Sequence, residues 1–203
     1  MKIGIILPSS QKSKNLLLEN VVEKVVKPLG HEVINLGVFD NEDVEISYVD
    51  TAFLVSLLLE SGKVDFVITG CSSGQGMALA CNSFPGVICG YVSSASDAYL
   101  FGRINSGNAI SYPLGLGFGW ASEINMESTI KALFCEDFGI GYPKEDAKRK
   151  MADTAQMHQI NKMVKGTMPQ LLGKMDKTEI DRILELRPRV KALISDFYAD
   201  YLH

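Results

Sequence analysis

The sequence lacks several patterns that mark common classes of protein. It contains four cysteines among 203 residues, and no two of them have the CxxC spacing of zinc sites or redox pairs. It also lacks the GxGxxG pattern of dinucleotide sites and the GxxxxGK[ST] pattern of nucleoside triphosphate sites. These absences argue against a metal site, a disulfide framework and a nucleotide, and we expect no cofactor.

Long apolar runs and an excess of basic charge are missing as well. The opening MKIGIILPSS is apolar over a few residues only, so it predicts neither a secretory segment nor a membrane-spanning helix. The formal net charge is -4, and the basic residues fall mainly in one late segment. We therefore expect a cytoplasmic protein that binds neither nucleic acid nor membrane.

Short apolar runs alternate with helical patterns through most of the chain. The runs at residues 2–7, 31–37, 67–69, 87–92 and 109–112 predict five strands. Helical periodicity between them predicts an α/β protein with three layers, α/β/α, around a parallel, Rossmann-like sheet. We interpret residues 1–142 as this domain.

Residues 143–203 differ in character, because they contain no strand signal. They form helical patterns that are interrupted near residues 166–169 and at Pro188, and Asp176 or Thr178 can cap a helix. An apolar stripe runs from Ile180 to Phe197 and is expected to pack on the core or on a second subunit. We interpret this region as a helical C-terminal extension.

The most informative stretch is the glycine-rich loop GCSSGQG at residues 70–76, between the third strand and the following helix. Glycines permit tight turning and close approach of a ligand, and the helix dipole adds positive charge there. Ligands of parallel sheets bind beyond the carboxyl ends of the strands. The loop therefore predicts an anion site with Cys71 at its edge. The alternative is a packing loop in which Cys71 is a small buried side chain.

The residues resemble the ribose-5-phosphate isomerase B and galactose-6-phosphate isomerase family, in a branch with a helical C-terminal extension. The loop GCSSGQG resembles the CGTGxG loop of that family, and NSFPG at residues 82–86 resembles its NKxPG segment. Asn105 and Asn108 match its HNDxN segment. The resemblance implies a sugar aldose–ketose isomerase that works through an enediolate.

The resemblance also implies roles for individual residues. Cys71 would be the catalytic base, since a helix N-terminus stabilises a thiolate, and Ser73 would orient or share a proton. The substrate-binding residues implied are Ser9, Ser72, Gly74, Gln75, Gly76 and Asn105. Backbone amides of residues 72–76 would hold the enediolate oxygen. At least a homodimer is implied, with residues 99–105 contributed across the interface, and no metal is needed.

Three parts of the family pattern are absent. Ile104 stands where the family has the histidine credited with opening the sugar ring, and isoleucine cannot move a proton. Pro8 and Ser9 replace an Asp-His pair, and the arginines that hold phosphate have no clear match in residues 142–148. The loop for enolisation is present, whereas the residues for ring opening and phosphate binding are not.

These departures leave three functions open. The substrate is a sugar phosphate held by Lys12, Lys14, Arg103 or the basic cluster at residues 144–150, or it is a keto-uronate of the 4-deoxy-5-hexosulose uronate type, whose carboxylate replaces the phosphate. The third possibility is a protein that binds a sugar acid without turnover.

Overall fold

The computed structural model describes residues 1–199, except for the side chain of Tyr198. Its five strands form one parallel sheet in the order β2-β1-β3-β5-β4. Their bounds are β1 Lys2–Ile5, β2 Glu32–Asn35, β3 Phe66–Cys71, β4 Cys89–Tyr91 and β5 Ala109–Pro113. The five-stranded parallel sheet predicted from the alternation of patterns is confirmed.

Helices cover both faces of the sheet. In the domain they are α1 Asn15–Val26, α2 Tyr48–Glu60, α3 Gln75–Ser83, α4 Ala95–Leu100 and α5 Ser122–Phe134, with a 3₁₀ turn at Ser9–Lys14 and a π turn at Phe101–Asn105. One buried cluster joins the sheet to α1, α4 and α5, and a second joins it to α2 and α3. This arrangement is the three-layer architecture expected of the sequence.

The apolar residues 50–60 predict a helix with Tyr48 in the loop before it, and the start of α2 corrects this detail. Ser47 Oγ accepts a hydrogen bond from Asp50 N at 3.0 Å, and the Asp50 carboxylate accepts one from Ser47 N at 3.3 Å. This capping box fixes the first helical residue at Tyr48. Apolar periodicity alone could not show this, because the cap is polar.

The C-terminal extension is helical and packs on the core. It contains α6 Ala147–Lys165, α7 Met168–Leu172, α8 Lys177–Leu186, α9 Pro188–Leu193 and α10 Ser195–Ala199. The breaks predicted near residues 166–169 and at Pro188 are present, and Asp176 caps α8. The apolar side chains of α7 to α9 and of the residue directly after α9 join the cluster of α2 and α3: Met168, Leu172, Ile180, Ile183, Leu184, Val190 and Ile194.

Arg187 fastens the extension to the domain. Its side chain is 2% exposed and lies 2.7 Å from the Glu42 carboxylate, and it also donates a hydrogen bond to the Leu36 carbonyl. Leu36 begins the loop that follows β2, and Glu42 lies within this loop. A buried guanidinium thus joins two segments that are far apart in the sequence. Within residues 1–199, no helix is long and apolar enough to cross a membrane.

Candidate active site

The sheet topology defines where a ligand can bind. Within the sheet, β2 is the neighbour of β1 on one side and β3 is its neighbour on the other side. The crevice between the ends of β1 and β3 is therefore the topological switch point, where open parallel sheets bind ligands. Cys71 is the last residue of β3, and the segment that begins at Ser9 follows β1. The sequence-predicted loop thus lies at this crevice.

Backbone hydrogen bonds fix the shape of the Cys71 loop. The Cys71 carbonyl accepts from Leu114 N at 2.9 Å, and the Ser72 carbonyl accepts from Gly115 N at 2.9 Å and from Leu116 N at 2.7 Å. These donors belong to the segment that follows β5, the neighbour of β3 in the sheet. Because these two carbonyls point toward the segment after β5, the other side of the loop faces the crevice.

Gly74 is required by its backbone conformation and by its neighbours. Its φ is +75°, in the left-handed region, and a Cβ there would lie 2.8 Å from the Tyr91 ring and 3.0 Å from Pro113 N. Its carbonyl accepts a hydrogen bond from the buried Ser111 hydroxyl at 2.6 Å. A side chain at this position would force the loop away from β4 and β5.

The loop leads directly into α3, which begins at Gln75. Ala78 N donates to the Gly74 carbonyl, so the amides before it belong to the first turn and have no i−4 partner within the helix. Two loop amides are already engaged, because Gly74 N donates to the Cys71 carbonyl and Gln75 N to Ser73 Oγ, both at 3.3 Å. Within residues 72–76, the candidates for binding an oxyanion are therefore the amides of Ser72, Ser73 and Gly76.

The Cys71 side chain is half-buried, with part of its surface against the apolar cluster of α2 and α3. The thiol is thus neither sealed in the core nor fully solvated, in contrast to Cys81 and Cys89, which are buried, and Cys135, which is exposed. All four cysteines are free. A half-exposed thiol at the edge of the crevice can reach a ligand that binds at the loop. This geometry suits a catalytic base.

Ser9 lies at the crevice but is already engaged. Its hydroxyl donates to the Val44 carbonyl at 2.7 Å and accepts from Ile46 N at 2.6 Å. These bonds hold the loop between β2 and α2 against the end of β1. The substrate-binding role predicted for Ser9 stays a prediction, and its local structural role is evident.

Two further residues border the loop, and neither has a predicted role in the site. Gln11 is 7% exposed, and its Nε2 donates to Ser72 Oγ at 2.8 Å. The Tyr48 ring lies over Gly76, where an added Cβ would come within 3.5 Å of it. No sequence signal distinguishes Gln11 from the other polar residues of the segment PSSQKSK.

Asn105 lies at the opposite edge of the sheet from Cys71. It precedes β5 by four residues, near the amino end of that strand, whereas Cys71 ends β3 at the carboxyl edge. Five residues of strand span about 13 Å at about 3.3 Å per residue, so the two cannot meet within one chain. The Asn105 carbonyl lies 3.0 Å from His158 Nε2 of α6.

The candidate cations for binding an anion are mostly engaged elsewhere. Arg103 is completely buried, donates to the Leu133 carbonyl at 2.8 Å, and stacks on Tyr99 and Phe138. Lys12 donates to the Glu42 carbonyl at 2.9 Å, and Lys14 lies over the Phe118 ring. In the late basic cluster, Arg149 pairs with Asp146 and Asp153 on an exposed helix face.

The space beside the crevice is acidic rather than basic. A cavity of about 590 Å³ lies there, and Lys12 is the one basic residue among its lining residues, which are Ser9, Ser10, Lys12, Asp43, Val44, Glu45, Ile46, Ser47 and Asp50. An anion is therefore better placed at the loop amides than in this cavity. In the part of the chain that the structure describes, no three His, Cys, Asp or Glu residues are arranged to hold a metal ion.

A parallel α/β sheet with a half-exposed cysteine beneath helix amides at its switch point defines an enzyme-like site for an anionic or enolisable ligand. Comparison with known proteins gives the class. Residues 9–143 match the ribose/galactose isomerase family model, and the chain belongs to this family. It therefore belongs to a family of sugar isomerases, as the resemblance implied. No curated protein matches the sequence.

Solved structures agree with this assignment. A 4-deoxy-L-threo-5-hexosulose-uronate ketol-isomerase, complexed with a tartrate, is 36% identical with a TM-score of 0.91 and covers 100% of this chain and 99% of its own. A ribose-5-phosphate isomerase from Vibrio parahaemolyticus is 34% identical, with a TM-score of 0.90 and the same coverage. Type B ribose 5-phosphate isomerase from Leishmania infantum, at 17% identity, shares the fold over 80% of this chain and 97% of its own, with a TM-score of 0.61.

Proposed function

We propose that this protein is a ketol isomerase in which Cys71 is the base. The observation that carries the proposal is the half-exposed Cys71 thiol beside the amides of the α3 N-terminus, at the switch point of the sheet. The Cys71 thiolate takes a proton from the carbon beside the substrate carbonyl, and the C–H electron pair moves to form an enediolate. The thiol then returns the proton to the neighbouring carbon.

The remaining proton moves between the two oxygens of the enediolate. We propose that Ser73 orients or shares this proton, because its hydroxyl lies in the same loop and accepts a hydrogen bond from Gln75 N. Amides of residues 72–76 that have no partner in the loop stabilise the enediolate oxygen, and such a donor contributes about 3 kcal/mol to lowering a barrier. Atoms and electrons balance within the substrate, so no cofactor takes part.

For the substrate we propose an open-chain keto-uronate. Two features of the chain support this class: Ile104 cannot open a sugar ring, and Arg103 is buried and cannot reach a phosphate. The hexosulose-uronate ketol-isomerase is similar over the whole chain, including the C-terminal extension.

A sugar phosphate is the second candidate. The observation that favours it is the similarity, also over the whole chain, to the ribose-5-phosphate isomerase from Vibrio parahaemolyticus. A phosphate would need cationic partners, and Lys12 is the basic residue that lines the cavity beside the crevice.

We also propose a homodimer or higher homo-oligomer. Asn105 is exposed at the opposite edge of the sheet from Cys71 of its own chain. A role for residues 99–105 in substrate binding therefore requires a neighbouring subunit. The cytoplasmic location stays a prediction from the sequence.

Solvent deuterium uptake tests the proposal. The protein is incubated in deuterium oxide with a panel of keto-uronates and sugar phosphates, and mass spectrometry follows deuterium at the carbon beside the carbonyl. The expected result is turnover with uptake for one keto-uronate and loss of both in Cys71→Ala. Turnover with sugar phosphates alone would move the assignment to the second candidate.

A control variant separates catalysis from folding. Cys135→Ala removes an exposed thiol at the far edge of the sheet and should leave uptake unchanged. If the native protein binds a sugar acid as tightly as Cys71→Ala does and neither exchanges deuterium, the protein is a binding protein and the proposed reaction is wrong.

A further inference from the structure

Gln11 and Ser72 form a hydrogen-bonded pair at the crevice. Gln11 lies in the 3₁₀ turn after β1, and its side chain is 7% exposed. Its Nε2 donates to Ser72 Oγ at 2.8 Å, across the gap between the ends of β1 and β3. A buried amide normally makes such a bond because leaving it unpaired costs about 1–3 kcal/mol. The pair joins the two segments that form the crevice.

The direction of this bond determines what Ser72 offers a ligand. A serine hydroxyl has one hydrogen to donate and two lone pairs. The bond from Gln11 uses one lone pair, and in the described part of the chain it is the one hydrogen bond made by Ser72 Oγ. The hydroxyl hydrogen is therefore available to an acceptor in the crevice. Ser72 itself is exposed there.

The position of Ser72 limits which acceptor it meets. It follows Cys71 directly, so the two Cα atoms are about 3.8 Å apart. A ligand on which Cys71 acts therefore lies next to Ser72, and the acceptor nearest to the reacting carbons is the enediolate oxygen rather than a group at the far end of a six-carbon substrate. The loop pattern of the family has glycine where this chain has Ser72, so the hydroxyl is an addition in this chain.

We propose that Gln11 is a positioning residue that holds the Ser72 hydroxyl as a hydrogen-bond donor to the enediolate oxygen. This inference rests on the proposed ketol isomerisation and adds a donor to the backbone amides of the loop. Gln11 does not touch the substrate. It acts through Ser72, whose oxygen it fixes while leaving the hydrogen directed at the ligand.

Two single variants test the pair once turnover by the native enzyme and its loss in Cys71→Ala are established. Gln11→Met keeps the length of the side chain without a donor, and Ser72→Ala removes the hydroxyl but keeps Cβ. We expect Ser72→Ala to lower kcat about 100-fold, as for loss of one oxyanion donor, and Gln11→Met to lower it about 10-fold. KM should change less than about 3-fold, since the contact strengthens in the transition state.

The double variant Gln11→Met with Ser72→Ala tests whether Gln11 acts on kcat through Ser72. Its kcat should equal that of Ser72→Ala alone, because Gln11 has nothing to position once the hydroxyl is gone. Ser72→Thr should retain kcat within about 5-fold of the native value, because threonine keeps the hydroxyl that donates to the enediolate oxygen. Melting temperatures of all variants confirm that they are folded.

Two results would overturn this inference while the proposed function stands. One is a multiplicative loss in the double variant, which would show that the two side chains act independently. The other is a rise in KM with kcat unchanged, which would place Ser72 on a remote part of the substrate. Absence of turnover in the native enzyme would instead refute the proposed function.

Discussion

Replacing Arg187 with methionine should weaken the attachment of the C-terminal extension. Met fills much of the same volume but leaves the Leu36 carbonyl without its donor, and it leaves the Glu42 carboxylate with the Phe39 amide alone, at 2.9 Å. Loss of a charged hydrogen bond costs about 1.5–3 kcal/mol, and an orphaned carbonyl costs about 1–3 kcal/mol. The variant also removes Arg187 Nε, which is buried without a hydrogen-bond partner among the described residues, and this gain offsets part of the loss in stability.

The net loss expected is about 3 kcal/mol, at the low end of the values for breaking a buried ion pair. The low end applies because the Glu42 side chain keeps 28% of its surface exposed and can be solvated when Arg187 is absent. For a chain of this length, such a loss lowers the melting temperature by about 6–12 °C. Thermal and urea unfolding of the native and variant proteins measure it.

The effect should depend on pH in a defined direction. Burial raises the pKa of Glu42, but the hydrogen bonds from Arg187 and from Phe39 N, together with the charges of Arg187 and Arg189, outweigh burial and hold this pKa below its usual value. A lowered pKa stabilises the fold above the unfolded-state value of about 4.3, and this stabilisation is lost as pH falls through the folded-state pKa. The difference between native and Arg187→Met should therefore shrink below about pH 4.

Arg189→Met is the matched control. It removes the same charge two residues away, where the guanidinium lies over the Phe39 ring in a partly solvated contact, and should cost less than about 1 kcal/mol. Equal melting temperatures for Arg187→Met and the native protein would refute the reasoning. They would show that desolvation of the guanidinium cancels its two hydrogen bonds.

Two further predictions concern the loop and the extension. Gly74→Ala should lower stability by at least about 2 kcal/mol and abolish turnover, because the left-handed backbone and the Tyr91 ring both oppose a Cβ. Gly62→Ala has a similar φ of +65° with no atom near the added Cβ, so it should cost about 1 kcal/mol in urea unfolding and leave turnover intact. A chain that ends after Pro143 should lack a cooperative thermal transition, because α2 loses its outer cover; a soluble, cooperatively unfolding fragment would contradict this.

The sheet could be predicted from the sequence because each strand is a short apolar run followed by turn residues. The anion loop could be found as well, since glycines between a strand and a helix have a limited set of uses. Order within the sheet could not be predicted this way. Apolar runs do not encode which neighbour they pair with, and here β5 lies between β3 and β4.

Polar pairs between residues far apart in the chain could not be predicted from the sequence either. Arg187 interrupts an apolar stripe just before Pro188 and has the signature of an exposed residue, yet it is buried against Glu42, 145 residues away. Arg103 differs in the same direction, because it is a candidate for holding a phosphate in the sequence and the structure buries it against aromatic rings. Charge alone does not show whether a side chain binds a ligand or an internal carbonyl.

The composition of α2 explains why the extension belongs to the fold. Every residue from Thr51 to Leu58 is buried, so this helix is covered on all sides rather than on one. The sheet covers one side, and the apolar residues of α7 to α9 join the same cluster on the other. Arg182 of α8 also pairs with Asp50, in the first turn of α2, at 3.0 Å. That turn carries Tyr48, whose ring lies over Gly76, so the extension stabilises one wall of the crevice through α2.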